Sequence, residues 1–198
     1  MNLLKTQIPR LRYMLDFIPF LCSICLATIG VCVFSARLRL RTFLFLGEFM
    51  DIFRVSFIGH REVEKLALVE NRVEEIVRDL IKTKEYVEFY MGRNGEFDTS
   101  AASVVKRVQN TLGKENSSLS LVLAYHVKDE EYYEKYYDEI LMPLDSSTHF
   151  KSAITKRNQW MIDNSDLLIA HVNKDFGGAY NTLKYAEKKG VNIINVAQ

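Results

Sequence analysis

Four short stretches of the chain carry residue types that can hold or act on an anion. Gly59-His60-Arg61 follows an apolar run. A backbone turn flanked by an imidazole and a guanidinium can hold a phosphate or a ribose, although the same residues also make an ordinary strand-to-helix turn. Gly92-Arg93-Asn94-Gly95-Glu96-Phe97-Asp98 has the look of a phosphate turn. It lacks the Gly-Lys-Ser/Thr of a Walker loop and the spacing of the dinucleotide fingerprint. Glu96 and Asp98 would repel a phosphate. They suit ribose hydroxyls or acid/base work, which makes them the candidate catalytic carboxylates; the alternative is that Asp98 caps the next helix. Gly177-Gly178-Ala179 opens a helix, where glycines permit close backbone approach and the helix turns its positive end toward a phosphate. Arg157 lies four residues before Met161 on one helical face, so its stem follows the apolar layer and its head faces the sheet edge. There it meets an anionic ligand or pairs with a carboxylate such as Asp98 or Asp166.

Other chemistry is not supported. His126, His149 and His171 have no metal-ligand spacing and read as core or surface histidines; no metal site is expected. No nucleophile elbow accompanies a Ser-His-Asp order. Trp160 and Met161 read as core. Tyr132, Tyr133, Tyr136 and Tyr137 read as an amphipathic turn or surface loop rather than a base-stacking platform.

These residues need elements to carry them. Strands are predicted at Phe53–Ile58, Tyr86–Met91, Ser118–Tyr125, Asp166–Val172 and Val191–Val196, with Tyr137–Leu141 as an extra short one. Helices are predicted from Glu62 to Thr83, from Asp98 or Thr99 to about Leu112, from Thr148 to Asn164 and from Gly178 to Lys189. Apolar residues at Val63, Leu66, Val69, Val73, Ile76, Val77 and Leu80 mark one face of the first helix, and Gly190 stops the last. Continuous apolar strands alternating with helices imply a three-layer α/β/α fold, Rossmann-like, with a mostly parallel sheet of about five strands. Ligands of such sheets bind beyond the carboxyl ends of the strands, near a topological switch point. The glycine-bearing turns all fall on that edge.

The chain has 198 residues and a net charge of +1. Residues 1–49 carry Lys5, Arg10, Arg12, Arg37, Arg39 and Arg41 against Asp16 and Glu48, a balance of +4 that leaves −3 for the rest. A mildly acidic domain lacks the basic footprint of a nucleic-acid binder, so no nucleic-acid partner is expected. Cys22, Cys25 and Cys32 all precede residue 50, so no disulfide framework supports the domain, and a reducing, cytoplasmic setting is expected.

The N-terminal extension, residues 1–49, stands apart. Phe17 to Phe34 is uncharged for 18 residues, about the lower limit for a transmembrane helix. Met50-Asp51-Ile52-Phe53 reads equally as a natural start followed at once by the first core strand. The extension is thus either a mis-assigned start or a membrane anchor, and a membrane partner follows only from the second. Cys22-Ser23-Ile24-Cys25 has redox spacing but not the βαβ setting of a redox motif. No convincing small-residue cleavage site precedes Arg37.

Taken together, residues 53–197 resemble the SLOG superfamily, the Rossmann-like group containing the Smf/DprA and LOG proteins, and within it the small stand-alone bacterial members. The resemblance rests on Phe57-Ile58-Gly59-His60-Arg61, on the Gly92 to Ala101 turn and helix start, on Arg157 to Ala170, and on Gly177-Gly178. LOG enzymes hydrolyse the N-glycosidic bond of nucleotide 5′-monophosphates, with Arg-Lys-x-x-Met on a helix and Pro-Gly-Gly-x-Gly-Thr-x-x-Glu after a strand. Arg157-Asn158-Gln159-Trp160-Met161 fits the first with Asn for Lys. Phe176-Gly177-Gly178-Ala179-Tyr180-Asn181-Thr182-Leu183-Lys184 keeps the glycine pair but puts Lys184 where the catalytic Glu would stand, and a lysine cannot act as that carboxylate. The resemblance therefore implies a module, of sensor type, binding a nucleotide or nucleotide-derived ligand through Gly59, His60, Arg61, Gly92, Gly95, Glu96, Asp98, Arg157, Gly177, Gly178 and Ala179. The alternative is a nucleotide hydrolase acting on an N-glycosidic or phosphate bond. No further cofactor is expected, and a homo-oligomer is left open.

Overall fold

The computed structural model describes residues 50–197 apart from Asp129 and Ser146. Residues from Met50 onward form one compact unit. The readings of residues 1–49, including the span 17–34 and its cysteines, lie outside the described residues. Among the described residues no helix is long and apolar enough to cross a membrane.

The elements run β1 (Ile52–Gly59), α1 (Leu66–Thr83), β2 (Tyr86–Met91), α2 (Glu96–Leu112), β3 (Ser117–Val122), α3 (Glu130–Tyr136), β4 (Glu139–Leu141), α4 (Phe150–Asp163), β5 (Leu167–His171), α5 (Gly177–Lys189) and β6 (Asn192–Asn195). They build a six-stranded sheet in the order β4-β3-β2-β1-β5-β6. All its pairings are parallel. The fold is the expected Rossmann-like one. The extra short strand is real, and the tyrosine-rich stretch before it is the helix α3 rather than a loop.

Strand alternation separates two cores. Val55, Phe57, Phe89, Leu119, Leu121, Leu167 and Ile169 point to the face covered by α1 and α2. Ile58, Tyr90, Val122, Leu168 and Ala170 point to the face covered by α4 and α5. The first face is mainly apolar, with a buried Gln109–Ser117 hydrogen bond at one end. The second admits polar groups: Ser56 lies within hydrogen-bond distance of the Met161 carbonyl and of Ser165.

Three boundaries differ most from expectation. α1 begins four residues late because Lys65 takes a left-handed conformation, φ 55°, which no regular helix continues through. β3 ends at Val122, where Leu123 turns its N–H to the Leu141 carbonyl of β4. α2 starts at Glu96 after an extended Gly95, so neither Asp98 nor Thr99 is its N-cap.

Sequence neighbours along the sheet run outward from β1 in both directions, β1-β2-β3 one way and β1-β5-β6 the other. The order reverses between β1 and β5. The register pairs Gly59 with His171 there, which places the turns after these two strands side by side at the carboxyl edge.

Candidate functional site

The turns after β1 and β5 enclose a cleft of about 460 Å³ lined by Gly59, His60 and Arg61 on one side and Lys174, Phe176, Gly177, Gly178 and Ala179 on the other. Asn94 and Asp98 reach it from the β2–α2 junction, and Ile154, Arg157 and Asn158 from α4. This is the size of an ordinary small-ligand site, roughly 300–1,000 Å³, and it sits at the switch point.

The two turns are tied together. The His60 N–H donates to the His171 carbonyl at 3.1 Å. The Lys174 N–H donates to His60 Nε2 at 3.3 Å. An accepting Nε2 leaves the ring proton on Nδ1 in the neutral form. Burial holds His60 below the usual histidine range, with Lys174 adding to the shift. His171 is lowered the same way by burial, then by His60. Its ring stacks on Phe97, centroids 5.6 Å apart. Gly59 is required by that packing, since a Cβ there would sit 2.5 Å from the Phe97 ring.

α5 presents a bare N-terminus to the cleft. Phe176 is its N-cap, makes no side-chain cap hydrogen bond, and no acidic residue lies in the first turn. Gly177 has φ +93°, a conformation that favours glycine. A Cβ at Gly178 would meet nothing within 4 Å. Among the described residues no side chain caps the first N–H groups of the helix, which are positively polarised. Behind them Thr182 bonds the Gly178 carbonyl at 2.8 Å and receives Asn158 Nδ2 at 3.2 Å. Asn158 is 8% exposed, and its Oδ1 has no partner within the described protein.

The β2–α2 turn is built differently. Gly92 is buried, and a Cβ there would come within 2.5 Å of Arg157 Nη1 and 2.6 Å of Asp98 Oδ2. The glycine makes room for two side chains that arrive from helices on opposite faces of the sheet. Asp98 folds back to accept the Asn94 N–H at 2.9 Å. Its carboxyl is pushed up to about 6 by burial, against the opposing pull of Arg157 and the Asn94 N–H. Arg157 is 3% exposed, donates Nη1 to the Val122 carbonyl at 3.1 Å, and is lowered by burial against the pull of Asp98. Its Nε has no partner among the described residues. Glu96 is exposed and does not line the cleft; its carboxylate accepts the Val63 N–H at 2.8 Å and so braces the β1–α1 loop. Gly95 packs against the Arg61 backbone.

The structure therefore gathers Gly59, His60, Arg61, Asp98, Arg157, Gly177, Gly178 and Ala179 around one cleft, and leaves Gly92, Gly95 and Glu96 off its wall. Asp166 caps the Arg54 N–H at 2.8 Å and is not the partner of Arg157. Lys184 does not line the cleft and pairs with Glu187 at 2.8 Å. Ile58, Glu62, Asn94, Ile154, Asn158, Lys174 and Phe176 also line the cleft and were not among the candidate site residues. Asn158 could have been found, because it follows Arg157 on a helix whose next turn is core. Among the described residues no cluster of His, Cys, Asp and Glu could hold a metal ion.

No family model matches the chain, and no curated protein matches it. Solved structures do resemble it. DNA processing protein A from Streptococcus pneumoniae superposes with a TM-score of 0.55 at 16% identity, over 72% of this chain and 49% of that one. DNA processing protein A from Helicobacter pylori, described by its single-stranded DNA binding mode, gives 0.51 at 16% identity over 71% and 63%. The molybdenum cofactor carrier protein of Chlamydomonas reinhardtii gives 0.44 at 14% identity over 72% and 75%. The chain spans about half to two thirds of the length of the two DprA proteins. The likeness is one of fold, the Rossmann-like α/β fold seen in these DprA structures.

Proposed function

We propose that the protein binds a nucleotide or nucleotide-derived ligand in the cleft between the β1 and β5 turns, with a phosphate on the N-terminus of α5. The observation that carries this is the pairing of an unfilled helix N-terminus with buried, unpartnered polar atoms on the same cleft, Asn158 Oδ1 and Arg157 Nε. A buried polar atom without a partner is costly, of order 1–3 kcal/mol, and a polar ligand relieves that cost. Arg61 and Lys174 supply positive charge at the cleft, and Asp98 and Asn158 address hydroxyls.

A thermal-shift panel of nucleoside monophosphates, cyclic nucleotides and ADP-ribose derivatives tests this. A binder at a hundredfold excess over its Kd stabilises by ~2.7 kcal/mol. No shift with any member of the panel would overturn the reading. A short single-stranded oligonucleotide belongs in the same panel. Single-stranded DNA binding is stated of the H. pylori neighbour, and the charge balance is the one argument against it here.

One observation favours the hydrolase reading. The Asp98 carboxyl, pushed up to about 6, holds its proton closer to neutrality than an ordinary aspartate and lines the cleft, as a general acid would. Release of free base or inorganic phosphate from a bound nucleotide, lost in Asp98→Asn, would establish turnover. Binding without release supports the module.

A further inference from the structure

We infer that Phe176 is the specificity residue of this cleft and that it selects ligands carrying a flat aromatic group, a nucleobase, beyond the phosphate. The inference rests on the phosphate seat proposed above. Phe176 is 66% exposed although it is a large apolar side chain. It is the N-cap of α5, immediately before the N–H groups assigned to the phosphate, and it lines the cleft. A ligand seated there extends within reach of its ring.

A comparison sharpens this. Phe150 is equally exposed, at 68%, but its ring packs on Tyr125 with centroids 5.0 Å apart. Among the described residues no ring or cation stacks on Phe176. The cleft also has an apolar component in Ile58, Ile154 and Ala179. A sugar phosphate alone would leave this apolar surface in water. A nucleobase stacked on the phenyl ring would cover it, and base–aromatic stacking is tolerant of base identity because every base has a π-face.

The test compares adenosine 5′-monophosphate with ribose 5-phosphate on the full chain, for wild type, Phe176→Ala and Phe176→Tyr, by calorimetry with thermal melts alongside. The expected result is that wild type prefers the nucleotide by at least about fivefold. Phe176→Ala should reduce that preference to within about twofold by weakening the nucleotide alone, and Phe176→Tyr should keep it. An unchanged preference in Phe176→Ala overturns the inference. So does an equal loss of both ligands, which would make Phe176 a structural cap. Equal affinity of wild type for both ligands also overturns it while leaving the phosphate seat standing. Failure of wild type to bind either removes the phosphate seat and the inference with it.

Discussion

The N-termini of α2 and α5 follow similar glycine-bearing turns at the same edge of the sheet, yet they are filled in different ways. α2 carries Glu96 and Asp98 in its first turn. Both carboxylates are already committed to backbone N–H groups, those of Val63 and Asn94. α5 has no acid in its first turn and no side-chain cap. An acid in the first turn satisfies the helix dipole from within, so α2 has no need of an external anion and α5 does. A glycine turn before a helix is thus an anion site only where the chain has not supplied its own anion. The glycines follow the same division. Gly92 is small so that protein side chains can occupy the space. Gly178 borders open space that a ligand can occupy.

The largest effect is expected on the filled side. Arg157→Ala should lower the unfolding free energy by ~2–3 kcal/mol, because it leaves the buried Val122 carbonyl without its donor and removes the cationic charge that favours the ionised Asp98. Denaturant unfolding measures this. A loss under ~1 kcal/mol would show that Arg157 has no structural role and favour the ligand role of the two that the sequence left open. Gly92→Ala comes next. Its Cβ would displace Arg157 or Asp98, and ~1–3 kcal/mol should be lost, as for other overpacked sites.

The third prediction concerns pH. The Asp98 carboxyl titrates at about 6 in the fold against 3.8 unfolded. A raised acid favours the fold when protonated. Its stabilisation is therefore complete below about pH 4 and is lost as pH rises through 6, by up to ~3 kcal/mol. The stability difference between wild type and Asp98→Asn should change with pH across that window and level off above it. A difference independent of pH from 4 to 7 would refute the shift.

On the open side the effects on stability should be small and those on binding large. Gly178→Val should melt within about 1 kcal/mol of wild type, since nothing meets its Cβ, while ligand affinity falls at least about tenfold. Unchanged affinity would make the glycine pair structural only.

Much of the fold was legible because buried strands announce themselves as short apolar runs. Tyr86–Met91 matched to the residue, and the weak strand near Leu141 was found as Glu139–Leu141. The late start of α1 was not legible, because a lysine in the left-handed region leaves no compositional trace. The site was half legible. Position after β1 and β5 pointed to His60, Arg61 and the 177–179 segment, and these residues line the cleft. The Gly92–Gly95 turn was assigned to the ligand because its glycines look the same on paper. Only the folded chain reveals that Asp98 and Arg157, from opposite faces of the sheet, converge on Gly92. That convergence is a tertiary fact with no local sequence signal.

The most direct test of the account makes α5 resemble α2. Ala179 is the third residue of α5, as Asp98 is of α2. Ala179→Asp places a carboxylate where the phosphate is proposed to sit. Calorimetry with a nucleoside 5′-monophosphate should show binding to wild type and at least a tenfold weaker Kd for the variant. Its melting should be unchanged or raised by ~0.3–1 kcal/mol of stability from the helix dipole. Equal affinity of the two proteins would contradict the claim that the open end of α5 is the anion seat.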